Sequence, residues 1–232
     1  MTTILNNLQA VRSRIAAACV AAGRPLDAVR LLAVSKTWPA ACVREAAACG
    51  QGAFGESYVQ ESIGKISELA DLDLEWHFIG PLQSNKTRVI AENFVWVHTL
   101  ERLKTAERLA AQRPVHLPPL QVCVQVNVSG ETSKSGCAPA AASALAHAIS
   151  ALPQLRLRGL MAIPAVTDDA VLQRQNFTQL STLFAQLNNE GLALDTLSMG
   201  MSHDLEAAIL AGATIVRVGT AIFGKRQASV LN

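Results

Sequence analysis

The chain is 232 residues long, half of them hydrophobic, with 20 basic against 18 acidic residues and a net charge of +2. That length and apolar content suit one large core and exclude a disordered chain. The near-neutral charge, with no basic block interleaved with aromatics, argues against a nucleic-acid partner. No apolar stretch reaches the length of a membrane span, and no basic segment leads into an apolar run and cleavage site at the N-terminus. The expectation is a cytoplasmic protein whose five cysteines (Cys19, Cys42, Cys49, Cys123 and Cys137) stay reduced.

Ile4, Leu8, Val11, Ile15 and Cys19 recur at steps of three and four, predicting an amphipathic N-terminal helix that Gly23 and Pro25 end. The run "VRLLAVSKT" follows, too short for a helix and apolar on both parities, which fits a strand covered on two faces. Strand-like runs recur at 53–55, 76–79, 94–98, 120–128, 155–163, 196–198 and 214–218. Helical stretches separate them, among them one striped by Val59, Ile63, Ile66 and Leu69 and another by Phe177, Leu180, Phe184 and Leu187. Alternation at that count predicts a single (β/α)8 TIM-like barrel with an extra N-terminal helix, one domain over residues 1–232. An open doubly wound sheet competes, but no G-x-G-x-x-G follows the first strand.

Barrels of this kind place their chemistry where strands end. Lys36 closes the first strand; desolvation there disfavours the charged amine and leaves a nucleophile able to form a Schiff base, against the plainer reading of a lysine reaching out to solvent. Arg217 sits between Val216 and Val218 in a strand buried on both sides, so it needs an acceptor inside the fold. Pairing with Glu56 or Asp195 would supply one, and so would a ligand such as a pyridine nitrogen. The loops "LSMGMSHD" and "VRVGTAIFG" follow the seventh and eighth strands, where barrels commonly hold phosphate; His203 and Asp204 are expected to begin a helix there. A closed barrel makes these three features neighbours, and pyridoxal 5′-phosphate (PLP), an aldehyde with a ring nitrogen and a phosphate, would meet all of them. His77, beside the tight loop at Gly80 and Pro81, reads as a polar group at the barrel mouth. No ligand cluster suggests a metal.

Seven segments ("LLAVSKT", "FGESYVQE", "WHFIGPLQSNK", "VNVSGETSKSG", "RGLMAIP", "LSMGMSHD" and "VRVGTAIFG") occur in order across nearly the whole chain and resemble the pyridoxal phosphate homeostasis protein family. That family is similar to the N-terminal barrel domain of alanine racemase. The resemblance implies that Lys36 carries PLP covalently and that Arg217 faces the pyridine nitrogen. It implies too that Ser198, Met199, Gly219 and Thr220 hold the phosphate, and that Ser57, His77 and Met161 belong to the cofactor site. Ser57 stands where the family usually has Asn, a shorter side chain with one donor, which is expected to weaken PLP retention.

A racemase needs two acid/base groups, one on each face of the substrate. Racemases similar to this barrel take the second from a tyrosine on a further domain, for which the chain, ending at Asn232, is expected to have no counterpart. Its only tyrosine, Tyr58, reads more simply as packing or a surface hydrogen bond. A permanent cation at the ring nitrogen would also discourage ring protonation. The expected role is therefore a monomeric carrier or regulator of PLP and amino-acid pools with little or no turnover, serving PLP-dependent client enzymes. A racemase-like enzyme, a Schiff-base aldolase and an interaction module are the alternatives. Lys86 and Lys134 could take PLP transiently, or be solvated lysines.

Overall fold

The computed structural model describes residues 3–131, 134–165, 167 and 169–225. The chain opens with α1 (Thr3–Ala21), whose buried side chains are the stripe read in the sequence, with Ala18 added. Gly23 then takes φ 63, a left-handed conformation suited to ending a helix. The chain next alternates without exception. β1 (Arg30–Val34) leads to α2 (Ala40–Ala48), β2 (Ala53–Glu56) to α3 (Val59–Glu68), β3 (Glu75–Phe78) to α4 (Thr87–Asn93) and β4 (Trp96–Leu100) to α5 (Leu103–Gln112). The second half adds β5 (Leu120–Gln125), α6 (Pro139–Ser150), β6 (Leu155–Met161), α7 (Ala170–Asn189), β7 (Thr196–Ser198), α8 (Leu205–Leu210), β8 (Ile215–Val218) and the single turn α9 (Thr220–Phe223).

The eight strands run parallel in sequence order, and β1 pairs with β8, Leu32 opposite Arg217, to close the barrel. Closure leaves no sheet edge. It also explains why the strands are apolar on both parities: one side of each meets the ring of helices, the other the barrel interior. The main core lies between strands and helices, with α1 packed into it. Inside the barrel, two small apolar groups, Leu32 with Ala53 and Ile215, and Trp96 with Cys123 and Met161, flank a polar centre described below.

Several expected boundaries move. β4 starts at Trp96 because Phe94 still donates its N–H back to Ile90 at the end of α4. β5 stops at Gln125, beyond which Val126 bridges to Cys137, and β6 stops at Met161, although the Val126 N–H still donates to the Met161 carbonyl and the Ala162 N–H to the Ser198 carbonyl. α8 begins at Leu205, so His203 stands before it; Asp204 sends its carboxylate backward to accept the Met201 N–H at 2.6 Å.

Candidate functional site

Lys36 lies one residue past the buried Ser35 in a tight turn, and is itself half-buried. Its neighbour Thr37 has φ 69. A β-branched residue rarely adopts that left-handed conformation, and holding it costs about 1–3 kcal/mol. The restraint comes from α3. The Thr37 N–H donates to Glu61 Oε1 at 2.6 Å, and Glu61 also accepts Lys65 Nζ. Lys65, only 6% exposed, crosses to Glu56 Oε1 at 2.7 Å and the Ser35 carbonyl at 2.7 Å, while Ser35 Oγ donates to the same Glu56 oxygen. Glu56 is fully enclosed. Burial pushes its carboxyl pKa up, with Lys65 and Ser35 pulling against it.

Arg217 is enclosed on β8. Its Nη1 donates to Ser198 Oγ at 2.8 Å and its Nη2 to the Ala162 carbonyl at 2.9 Å. Neither carboxylate considered as its partner takes that part. Glu56 is committed to Lys65 and Ser35, and Asp195 accepts from Arg158 through both oxygens and from Thr196. The guanidinium therefore stands on neutral acceptors. Burial brings its pKa down to about 10, against the opposing influence of Asp204 and Cys123.

Lys36 and Arg217 open into one cavity of about 190 Å³ at the C-terminal end of the barrel, together with Gly219 and Thr220. Trp38, stacked on Phe223 at 6.0 Å, covers one side; Ile79 and Ile163 supply apolar wall, and Ser202 and His203 reach in from the loop after β7. Gly200 turns that loop with φ 91, and a Cβ there would come within 2.5 Å of the Ala208 Cβ. Only glycine fits. A larger groove of about 720 Å³ lies outside the barrel on α6 and α7, but its lining carries a single charged residue, Arg174.

The other residues singled out in the sequence stand outside the cavity lining. Ser57 is half-buried beyond β2, and Met161 is enclosed beside Trp96 and Cys123. The Met199 N–H is already given to the Ile215 carbonyl at 3.1 Å, so that amide is not available to an anion. Ser198 lies beneath Arg217. His77 is not at the mouth: it is fully buried, with one ring nitrogen 2.9 Å from His98 and the other 2.6 Å from Glu75. Lys86 and Lys134 do not line the cavity, and Tyr58 is half-exposed where α3 starts. All five cysteines are free thiols. Sequence reading missed Trp38 and the network around Lys65.

The sequence profile of the alanine racemase N-terminal domain family matches residues 6–227. The pyridoxal phosphate homeostasis protein of Pseudomonas aeruginosa is 62% identical over 227 residues, 98% of this chain and 97% of that one. The protein of the same name from Escherichia coli K12 is 53% identical over 232 residues, 99% of each. The chain belongs to the pyridoxal phosphate homeostasis protein family. Among solved structures, PipY of Synechococcus elongatus, determined with PLP bound, superposes with a TM-score of 0.84 at 40% identity, over 95% of this chain and all of that one. An alanine racemase of Clostridium difficile superposes at 0.75 with 14% identity, over 97% of this chain and 58% of that one. The racemase likeness establishes a common barrel and no more. The pyridoxal phosphate homeostasis family therefore shares its barrel with enzymes while its members are named for homeostasis. Among the described residues no helix is long and apolar enough to cross a membrane.

Proposed function

We propose that this chain binds PLP covalently through Lys36 and acts as a carrier or regulator in PLP and amino-acid homeostasis, without sustained turnover of its own. The observation that carries the reading is the shared opening of Lys36 and Arg217 into one cavity, with Gly219 and Thr220 on its rim. The donor set suits the cofactor. Lys36 supplies the amine, Arg217 a donor for a pyridine nitrogen, and the backbone at Gly219 and Thr220 the approach to a phosphate. Trp38, Ile79 and Ile163 give the ring an apolar bed and limit water around the Lys36 amine. When bound, PLP supplies an aldehyde that condenses with an amine.

Absence of turnover is argued from Arg217. It stands on a hydroxyl and a carbonyl, so no carboxylate offers a ring nitrogen the proton that would make the ring a strong electron sink. The same reading has residues 1–232 acting as one domain, a monomer in the cytoplasm that passes PLP to PLP-dependent client enzymes.

Cofactor-free protein mixed with an equivalent of PLP is expected to turn yellow, and borohydride to fix the cofactor's mass on the peptide that contains Lys36. Lys36→Ala should lose both signals. Exchange of the α-proton of L-alanine in deuterated water should stay at the background rate, which tests His203 at the mouth as a surrogate acid or base. A wild-type protein left colourless and unmodified by PLP would remove the reading; rapid exchange would turn it toward a racemase-like enzyme.

A further inference from the structure

A chain of hydrogen bonds runs through the barrel interior from Arg217 to the other end of the strands. Arg217 Nη1 meets Ser198 Oγ at 2.8 Å, Ser198 Oγ meets His98 Nδ1 at 2.7 Å, His98 Nε2 meets His77 Nδ1 at 2.9 Å, and His77 Nε2 meets Glu75 Oε1 at 2.6 Å. Ser198, His98 and His77 are fully enclosed, and Glu75 is the half-exposed end, where Arg30 also donates to Oε1 at 2.6 Å. Four strands contribute, so the chain spans the barrel rather than following one element.

Its two ends leave one way to place the protons. A guanidinium only donates, so Ser198 Oγ accepts from Arg217; a carboxylate only accepts, so His77 Nε2 carries a hydrogen. Neutral His77 then presents a bare Nδ1, which His98 satisfies from Nε2. The bare Nδ1 of His98 in turn takes the Ser198 hydroxyl proton. Every bond is made, with no proton missing and none to spare. Protonating His77 would reverse the links above it and leave the Ser198 hydroxyl proton buried with no acceptor. The surroundings agree: Trp96 stacks on His77 at 5.3 Å, and the nearby charges are Arg217 above and Glu75 with Arg30 below. Burial holds both imidazoles below their usual range, with Glu75 opposing this at His77, and His77 and Arg217 adding to it at His98.

We propose that Ser198, His98, His77 and Glu75 are positioning residues for the cavity: a chain of single polarity that fixes Arg217 as a donor facing the ligand while giving it no carboxylate partner. The inference rests on PLP as that ligand. It extends the site from the barrel mouth to its base, so a residue with no access to the cavity, Glu75, takes part in cofactor binding.

Two measurements test it. Long-range nitrogen–proton spectra of the cofactor-free protein should show both imidazoles neutral with the proton on Nε2 between about pH 6 and pH 8, a range in which an ordinary histidine titrates. PLP titrations should show Ser198→Ala and Glu75→Gln binding roughly ten- to a hundredfold more weakly, the worth of a hydrogen bond involving a charged group, with the absorption band of bound PLP displaced in both. Charged or Nδ1-protonated imidazoles overturn the assignment. If the variants keep wild-type affinity and spectrum, the chain is structural only and the positioning role is wrong, even where they melt earlier. Wild-type protein that takes up no PLP defeats the functional reading itself, and the positioning role with it, whatever the imidazole spectra show.

Discussion

Replacing Lys65 with methionine is expected to lower folding stability at neutral pH by about 3–5 kcal/mol, the loss typical when one partner of a buried ion pair is removed. For a chain of this size that is a fall of roughly 10 °C in Tm. Methionine retains the apolar stem, so packing is largely kept and the charge is what is lost. Glu56 is then enclosed with only Ser35 to hold it, since among the described residues its Oε2 has no hydrogen-bond partner even in the intact protein. The carboxyl, already raised by burial, loses its main opposing charge and rises further. A carboxyl with a folded pKa above its unfolded value of about 4.3 adds stability that is complete below that value and is lost as pH rises through the folded pKa. The deficit of Lys65→Met should therefore shrink on acidification toward about pH 4 and grow toward neutrality. Adding Glu56→Gln should recover much of the loss at neutral pH. Denaturant unfolding of the two variants at acidic and neutral pH decides this; a pH-independent loss below 1 kcal/mol or so would mean that the pair carries little. The consequence reaches the site, because Lys65 holds Glu61 and Glu61 holds the strained Thr37 next to Lys36.

That network shows where sequence reading stops. The apolar stripe Val59, Ile63, Ile66 and Leu69 does face the core, with Leu69 buried and Val59 and Ile66 packed against it, yet within α3 itself the buried positions are Ser62 and Lys65. Periodicity locates a helix, but a lysine spaced for an i,i+4 pair with glutamate looks the same whether the pair is solvated or faces a buried carboxylate across a barrel. The eight strands were legible because burial on both sides makes each a dense apolar run. Lys36 and Arg217 were legible for the matching reason, as charges inside or at the end of such runs.

His77 and His98 carried a weaker signal. Each interrupts an apolar strand, which marks it as unusual. Their mutual contact depends on the stagger between β3 and β4, where His77 lies opposite Trp96 rather than opposite His98. Stagger is fixed by closure of the whole barrel. No local pattern reports it. Arg217 illustrates the same limit: spacing left Glu56 and Asp195 open as partners, and only the closed structure commits both of them elsewhere.

Closure itself depends on one hydrogen atom, and Gly159→Ala is expected to be the most damaging conservative change in the chain. β6 carries an irregularity against β5: Val122 pairs with Leu157 and Cys123 with Gly159, so Arg158 is the extra residue. A bulge re-aims the backbone around it, and at Gly159 it turns the position of the absent side chain toward β7. A Cβ there would lie on the Thr196 carbonyl oxygen, and 2.7 Å from its carbon. Both are backbone atoms of the strand paired with it, so no rotamer change relieves the clash. β6 and β7 must separate. β7 has three residues, and its last is Ser198, which supports Arg217. A cost above about 4 kcal/mol is expected, with poor soluble yield and weakened PLP uptake in whatever folds. Gly64→Ala is the control: it lies inside α3 with nothing within 4 Å of the added carbon, and alanine there should gain roughly 0.5–1 kcal/mol through helix propensity. If Gly159→Ala melted within a few degrees of wild type while Gly64→Ala behaved as expected, the contact between β6 and β7 would be softer than the structure has it. Ser198 could then shift with β7, and Arg217 would lose the fixed footing on which the positioning chain depends.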